Sequence, residues 1–143
     1  MRTTQEIETY IPRLNQLIGL QNEPKWITLR FIINISLSFN NDIEFDREVD
    51  FDGKQYNLEQ ITGFGKEYDN YTDLYWSMIE IFDNITIKSK KEFDINLEYH
   101  LLRGYKILIS SVNSSSNLFE FLLQEFYLDN NIISEKEIVK QVK

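Results

Sequence analysis

One segment of this chain is apolar around most of a helical turn, and it constrains the fold more than any other feature. Its apolar positions, four at helical spacing and four covering more of the circumference, are Trp26, Leu29, Ile33, Leu37, Phe31, Ile32, Ile35 and Phe39. A helix that is apolar on so many sides is covered by other elements on several faces. The sequence therefore predicts a central helix in an all-α fold, a compact bundle of about four core helices.

Start and stop signals place the first two helices. Thr3-x-x-Glu6 has the form of a capping box, and Gly19 is a typical C-terminal stop, with Pro12 expected to kink or delay the helix between them. Asn22 is the expected N-cap of the central helix, with Pro24 in its first turn.

Two more core helices follow a long irregular excursion. Residues 40–65 contain apolar residues that alternate with acids, and the Asp52-Gly53 turn signal allows one short hairpin there. The next helix should begin near Asp69 or Asn70 and end near Asn84. Its expected inner face consists of Tyr71, Leu74, Tyr75, Met78 and Phe82.

Ser89-x-x-Glu92 offers a capping box for the fourth core helix, whose apolar part covers residues 93–109. The Ser/Asn-rich run 110–117 is typical of a linker. A helix over residues 118–128 and a short final helix opened by Ser134-x-x-Glu137 are expected after it. We therefore divide the chain into a helical domain, residues 1–110, and a C-terminal helical extension, residues 111–143.

Composition excludes several classes of protein. The 143 residues include no cysteine, which removes disulfides, zinc-thiolate sites and a thiol nucleophile. No segment reaches the ~20 consecutive apolar residues of a membrane span, and we expect a cytoplasmic protein that makes no membrane contact. The formal net charge of -8 repels nucleic acid unless basic groups are segregated on one surface.

His100 and Arg103 lie three positions apart, on one helical face within an apolar segment. They are either satisfied internally by neighbouring helices or presented to a partner such as DNA phosphate. Arg30, inside the central helix, needs a carboxylate partner or a route to the surface, and an ion pair is favoured. Gly104 is expected to allow close approach of another helix.

The densest basic cluster is formed by Lys88, Lys90 and Lys91, directly before a helix whose N-terminus also attracts anions. Lys106 and Lys66 could add to it, and Arg103 is a further candidate for phosphate contact. The alternative is an ordinary solvated turn.

The opposite charge dominates the excursion, with carboxylates at Asp42, Glu44, Asp46, Glu48, Asp50 and Asp52. Glu48-x-Asp50-x-Asp52-Gly53, closed by Glu59, partly matches a calcium loop. However, glutamate replaces the first aspartate and Gln55 the usual apolar eighth residue. A solvated excursion or a docking edge for a basic protein is favoured, and we expect no metal site. No Ser/His/acid arrangement converges locally and no phosphate-binding loop is present, so the sequence predicts no catalytic residues, no cofactor and no enzyme.

The chain resembles the DndE family, small helical proteins of bacterial DNA phosphorothioation systems. The residues that carry the resemblance, in order over residues 3–109, are Leu17-Ile18-Gly19-Leu20, Arg30, Ser36-Leu37-Ser38, Asp52-Gly53-Lys54, residues 63–68, Tyr71, Leu74-Tyr75 and His100-Leu101-Leu102-Arg103-Gly104. The segment after Ser110 does not map onto the family, and the overall acidity departs from it.

The resemblance implies a non-catalytic accessory protein for replacing a DNA phosphate oxygen with sulfur. Its implied partners are a cysteine desulfurase, a sulfurtransferase and an ATPase, together with further copies of itself and nicked duplex DNA bound through surface lysines. The alternative function is an assembly module of the same complex that never contacts DNA.

Overall fold

The computed structural model describes residues 1–39, 48–63, 70–113 and 115–124, except for the side chains of Ser115 and Ser116. Its helices are α1 (Gln5–Ile18), α2 (Lys25–Ser38), α3 (Leu58–Thr62), α4 (Thr72–Asp83), α5 (Lys90–Ser111) and α6 (Ser115–Leu123). Within these ranges the only β-type pairing is an isolated bridge between Arg2 and Gln55. The all-α fold expected from the sequence is confirmed.

The central position of α2 is also confirmed. It packs along α5 and also contacts α1, α3 and α4. Leu29, Ile32 and Ile33 are fully buried. Because its apolar residues face several neighbours, α2 organises the core that the other helices share.

The caps differ in part from those expected. Thr4, not Thr3, is the N-cap of α1, and its hydroxyl accepts a hydrogen bond from the Ile7 N–H. The Thr3 hydroxyl instead donates to the carboxylate of Glu8. The Thr3 backbone bonds to Gly53 and Lys54 of the excursion. Gly19 ends α1, as predicted, and has the left-handed conformation, and α1 runs on through Pro12.

Pro24 is the N-cap of α2 and offers no side-chain bond, so the expected cap at Asn22 is wrong. Helix α4 begins at Thr72 and ends at left-handed Asn84, close to its predicted end. On its inner side Tyr75 and Ile79 are buried, whereas Leu74, predicted to face inward, is exposed. Ser89 caps α5 as predicted, accepting from the Glu92 N–H.

The excursion contains the short helix α3, which the alternating pattern did not reveal. Before α3, the backbone of Gly53 and Lys54 bonds to Thr3, and the Tyr56 N–H bonds to Met1. Residues 48–63 form no hairpin, since they pair with the start of the chain instead. Residues 40–47 lie outside the described residues.

Helix α6 packs on α1 and α5. Its Leu118 and Phe121 are buried, and the Phe121 ring meets Phe39 edge-on at 5.1 Å. It begins three residues before the predicted helix. The rest of that helix and the one predicted after Ser134 lie outside the described residues, so the division at residue 110 stays a prediction. In the described part of the chain, no helix combines the length and apolarity needed to cross a membrane.

Candidate nucleic-acid interface

The turn between α4 and α5, residues 84–89, is held by one carboxylate from each flanking helix. Glu80 accepts a hydrogen bond from the Ile87 N–H, and Glu92 accepts one from the Lys88 N–H. The Ile87 side chain is buried and anchors the middle of the turn. The backbone that carries the basic cluster is therefore fixed by local bonds and by the core.

Lys88, Lys90 and Lys91 are all exposed on this turn and on the first turn of α5. Among the described residues, none of the three has a carboxylate within ion-pair distance. Residues 88–92 hold three lysines and one glutamate, a local charge of +2 on a chain of -8. We call these three side chains the basic turn.

Lys106 does not belong to the basic turn. It lies fifteen residues after Lys91 on the same helix, which places it about 22 Å further along the axis. Its ammonium lies 4.0 Å from Glu6 and lines a cleft of about 230 Å³ that also contains Asp50 and Asp52. The local field around Lys106 is therefore acidic. Lys66 lies outside the described residues.

Arg103 is buried, with 5% of its surface exposed. Its guanidinium donates to the carbonyl oxygens of Ser36, in the last turn of α2, and of Phe39, the C-cap of α2, and lies over the Phe82 ring at 4.9 Å. These carbonyls have no partner within α2, so a buried arginine satisfies them. The structure thus places Arg103 inside the fold and away from the basic turn.

His100 completes the same buried network. Its Nε2 lies 2.8 Å from the carboxylate of Asp83, and its Nδ1 lies 2.8 Å from the Ser36 hydroxyl. Because a carboxylate only accepts, Nε2 carries the proton in the neutral ring and Nδ1 accepts from Ser36. The sequence left two alternatives for His100 and Arg103, internal bonding to neighbouring helices or presentation to a partner such as DNA phosphate. The described contacts of both residues are internal.

Ser36, His100 and Asp83 therefore converge although no local arrangement predicted it. Ser36 and His100 are fully buried, and Arg103 also donates to the Ser36 hydroxyl at 3.2 Å. The Ser36 hydroxyl is not accessible from the surface, so it cannot act as a nucleophile. We interpret these residues as a structural hydrogen-bond network that joins α2, α4 and α5, and we call Ser36, Asp83, His100 and Arg103 the polar strut. The sequence signal for it was Ser36 itself, a small polar residue within an apolar helix.

Arg30 has a comparable structural role on another side of α2. It donates to the carbonyl oxygens of Ile61 and Gln60 at the end of α3, and lies 4.5 Å from the Trp26 ring. The guanidinium thus ties α3 to the central helix. Its described partners are carbonyls and aromatic rings, and the ion pair favoured from the sequence stays a prediction.

The carboxylates of the partial calcium-loop match, residues 48–59, do not form a common site in the structure. Asp52 accepts a hydrogen bond from the Gln5 N–H at the start of α1, and Glu59 lies in α3. In the ranges that the structure describes, no three acidic or histidine side chains converge as a metal ligand set. Asp42, Glu44 and Asp46 lie outside those ranges.

Burial changes the titration of two acidic groups near the N-terminal segment. It raises the pKa of Glu98 above its ordinary 4.5, against a smaller lowering by the hydrogen bond from the Arg2 N–H. Burial, together with the neighbouring Glu8 carboxylate, raises the pKa of Tyr56, whose hydroxyl donates to Glu8. Neither group lies on the basic turn.

Within the residues that the structure describes, these features define a small all-α protein with a buried polar strut and an exposed basic turn. A protein-family model described as DNA sulphur modification protein DndE matches residues 1–116, so the match extends beyond Ser110, where the resemblance seen in the sequence ended. The chain belongs to the DndE family, accessory proteins of the Dnd system, and so takes part in DNA sulfur modification. No curated protein and no solved structure matches significantly.

Proposed function

We propose that this chain is a non-catalytic accessory subunit that helps to place the sulfur-transfer machinery on DNA, including nicked DNA. Lys88, Lys90 and Lys91 contact the phosphates. The observation that carries the proposal is the basic turn itself, whose ammonium groups are exposed, unpaired within the described residues and held on a fixed backbone.

The start of α5 adds to this attraction. The first N–H groups of a helix point outward and carry a partial positive charge, which favours phosphate oxygens. Glu92 opposes it, but the local sum stays positive. Self-association of the chain would repeat the basic turn and make a larger positive surface on an acidic protein. The sulfurtransferase and ATPase subunits are the proposed partners, in the cytoplasm.

Fluorescence anisotropy with intact and nicked duplexes at low and moderate salt tests the proposal. Each phosphate contact contributes about 0.9 to the slope of log K against log salt, so the variant Lys88→Gln/Lys90→Gln/Lys91→Gln should reduce the slope by about 3. The matched control, Arg13→Gln/Lys25→Gln/Lys54→Gln, removes the same charge from exposed positions elsewhere. An equal loss in both variants would show a net-charge effect and would contradict the proposal.

The second candidate function is an assembly module that binds the transferase or the ATPase without contacting DNA. The net charge of -8 favours it, as do the burial of Arg103 and the pairing of Lys106 with Glu6. Absence of DNA binding at low salt, with retained binding to a purified partner subunit, would select this function over the first.

A further inference from the structure

An open groove of about 490 Å³ lies between α2 and α4, and one of its walls is polar. Arg30, Asn34 and Ser38 of α2 line it and recur at i, i+4 and i+8, so they share one face of that helix. The rest of α2 is apolar around most of its circumference. The groove therefore lies along the polar face of the central helix.

The opposite wall is aromatic and aliphatic. It consists of Tyr71, the N-cap of α4, and of Leu74, Tyr75 and Met78 within that helix. The Tyr75 hydroxyl donates to Oδ1 of Asn34 at 2.8 Å and so joins the two walls. A hydrogen bond between the walls fixes the width of the groove before any ligand enters it.

Five of the seven residues that line the groove lie in the segments that carry the resemblance to the DndE family. They are Arg30, Ser38, Tyr71, Leu74 and Tyr75. None of the five belongs to the polar strut or to the basic turn. The fold thus gathers these segments, which are separated along the chain, around one open groove, and this convergence indicates a binding site.

The two unlike walls fit a flat ligand with an apolar face and a polar edge. Ligand sites of about 300–1,000 Å³ are lined mostly by apolar and aromatic side chains, with a few polar groups that orient the ligand. An unstacked nucleobase has this form, since proteins hold its ring face on aromatic side chains and bond its edge. The wall of Tyr71, Leu74, Tyr75 and Met78 suits the ring face.

The polar wall offers the groups that the edge of a base requires. Asn34 uses Oδ1 for the Tyr75 hydroxyl, whereas its Nδ2 and the Ser38 hydroxyl have no bond within the described residues. Nδ2 can donate to a ring nitrogen or a carbonyl oxygen, and the hydroxyl can donate or accept. Arg30 alone is charged among the described residues that line the groove, and a cation does not repel the phosphate of a nucleotide.

We propose that this groove binds one unstacked nucleobase, either of an unpaired nucleotide in DNA or of a free nucleotide. The DNA source rests on the proposed function, because the basic turn then holds phosphates of the same molecule. Met78 lies about 9 Å along α4 from Asn84, where the turn that carries the lysines begins. One DNA molecule can therefore reach both sites.

Two fluorescein-labelled duplexes of equal length and charge test the site by fluorescence anisotropy. A central adenine faces thymine in one duplex and an abasic site in the other, so the duplexes differ in whether that base is paired. The unmodified chain should bind the duplex with the unpaired adenine at least ~5-fold more tightly, the lower end of what base stacking on a protein contributes. Equal affinity for the two duplexes would overturn the DNA source.

Ser38→Trp fills the groove and Leu74→Ser removes part of its apolar wall, and neither variant changes the charge. Ser38 and Leu74 are both exposed, so either variant serves if the other is unstable in circular dichroism and urea unfolding. Each should abolish the preference for the unpaired adenine. The matched controls Ser110→Trp and Ile95→Ser alter exposed positions of α5, outside the groove, and should keep it. Loss of the preference in the controls as well would contradict a site in the groove.

The basic-turn variant Lys88→Gln/Lys90→Gln/Lys91→Gln separates this proposal from the DNA proposal. It should weaken binding to both duplexes alike and leave the ratio of their affinities unchanged. A reduced salt slope in this variant, without any preference in the unmodified chain, would contradict base binding from DNA and leave the DNA proposal standing.

Deoxyadenosine monophosphate distinguishes the two sources of the base. If it binds the unmodified chain but not Ser38→Trp, and the chain shows no preference between the duplexes, the groove binds a free nucleotide. Absence of both the preference and nucleotide binding would overturn the whole proposal. Self-association of the chain that disappears in Ser38→Trp would also overturn it, because a second copy would then occupy the groove.

Discussion

Gly104 of α5 lies against the backbone of Ile32 in α2, closer than any side chain allows. A Cβ on Gly104 would lie 2.0 Å from the Ile32 carbonyl oxygen and 2.9 Å from its carbonyl carbon. Both atoms belong to a helix backbone and cannot turn aside. Only the hydrogen atom of a glycine fits between α5 and α2 at this point. Gly104 therefore allows the close approach of another helix that was expected from the sequence.

Gly104→Ala should therefore lower the free energy of unfolding by about 2 kcal/mol or more, because the added methyl group forces α2 and α5 apart. The effect opposes the ~1 kcal/mol by which alanine normally favours a helix over glycine. Urea denaturation measures it, with Ile95→Ala on the exposed side of α5 as control. A Gly104→Ala variant as stable as the unmodified chain would refute this packing.

Gly19→Ala tests a different property, backbone conformation alone. Gly19 has φ +74° at the end of α1, and a Cβ there would meet no atom within 4 Å. The expected cost is about 1 to 2 kcal/mol from the left-handed conformation itself. Thermal or urea unfolding should show this smaller loss, and Gly19→Asn should recover part of it because asparagine tolerates that conformation.

Ser36→Ala should destabilise the fold by about 1 to 3 kcal/mol, because it leaves the buried Nδ1 of His100 and one Arg103 N–H without the Ser36 hydroxyl. Ser110→Ala is the control, since Ser110 is exposed and bonds only locally. Its loss should stay within about 0.5 kcal/mol. Equal urea midpoints for the two variants would show that the strut contributes nothing.

Arg103→Lys should separate stability from DNA contact. An ammonium cannot bond the Ser36 and Phe39 carbonyls in the fork geometry of a guanidinium, so we expect a loss of about 2 kcal/mol or more. Its salt dependence of DNA binding should match that of the unmodified chain. A reduced slope with unchanged stability would instead place Arg103 at the phosphates.

The burial of Glu98 gives the fold a pH dependence whose sign follows from the direction of its pKa shift. Its pKa is raised above 4.5 by burial, so the folded state binds this proton more tightly than the unfolded state does. Between the ordinary and the raised pKa, the free energy of unfolding therefore falls as pH rises.

Glu98→Gln removes this titration and keeps an oxygen for the Arg2 N–H. The variant should be at least as stable as the unmodified chain at about pH 7, and its relative advantage should shrink towards about pH 4. Urea midpoints across this range measure it. A relative advantage that grows towards acid pH would contradict the assigned direction.

Much of the secondary structure follows from local patterns. Period and capping predicted α1, α2, α4 and α5 because residues three and four apart share a face whatever the rest of the chain does. The same logic placed Ser89 as a cap and Gly19 and Asn84 as helix ends. It missed α3, a helix of five residues that is too short to show a period.

The sequence by itself determined the all-α class, the central α2, the family and the position of the basic turn, since each depends on neighbours along the chain. Only the tertiary structure decided that Arg103 is buried and that Lys106 lies against Glu6 of α1. It alone brought Ser36, Asp83 and His100 together and left Leu74 exposed. These outcomes depend on how helices far apart in sequence pack side by side, and periodicity within one helix carries no information about that packing.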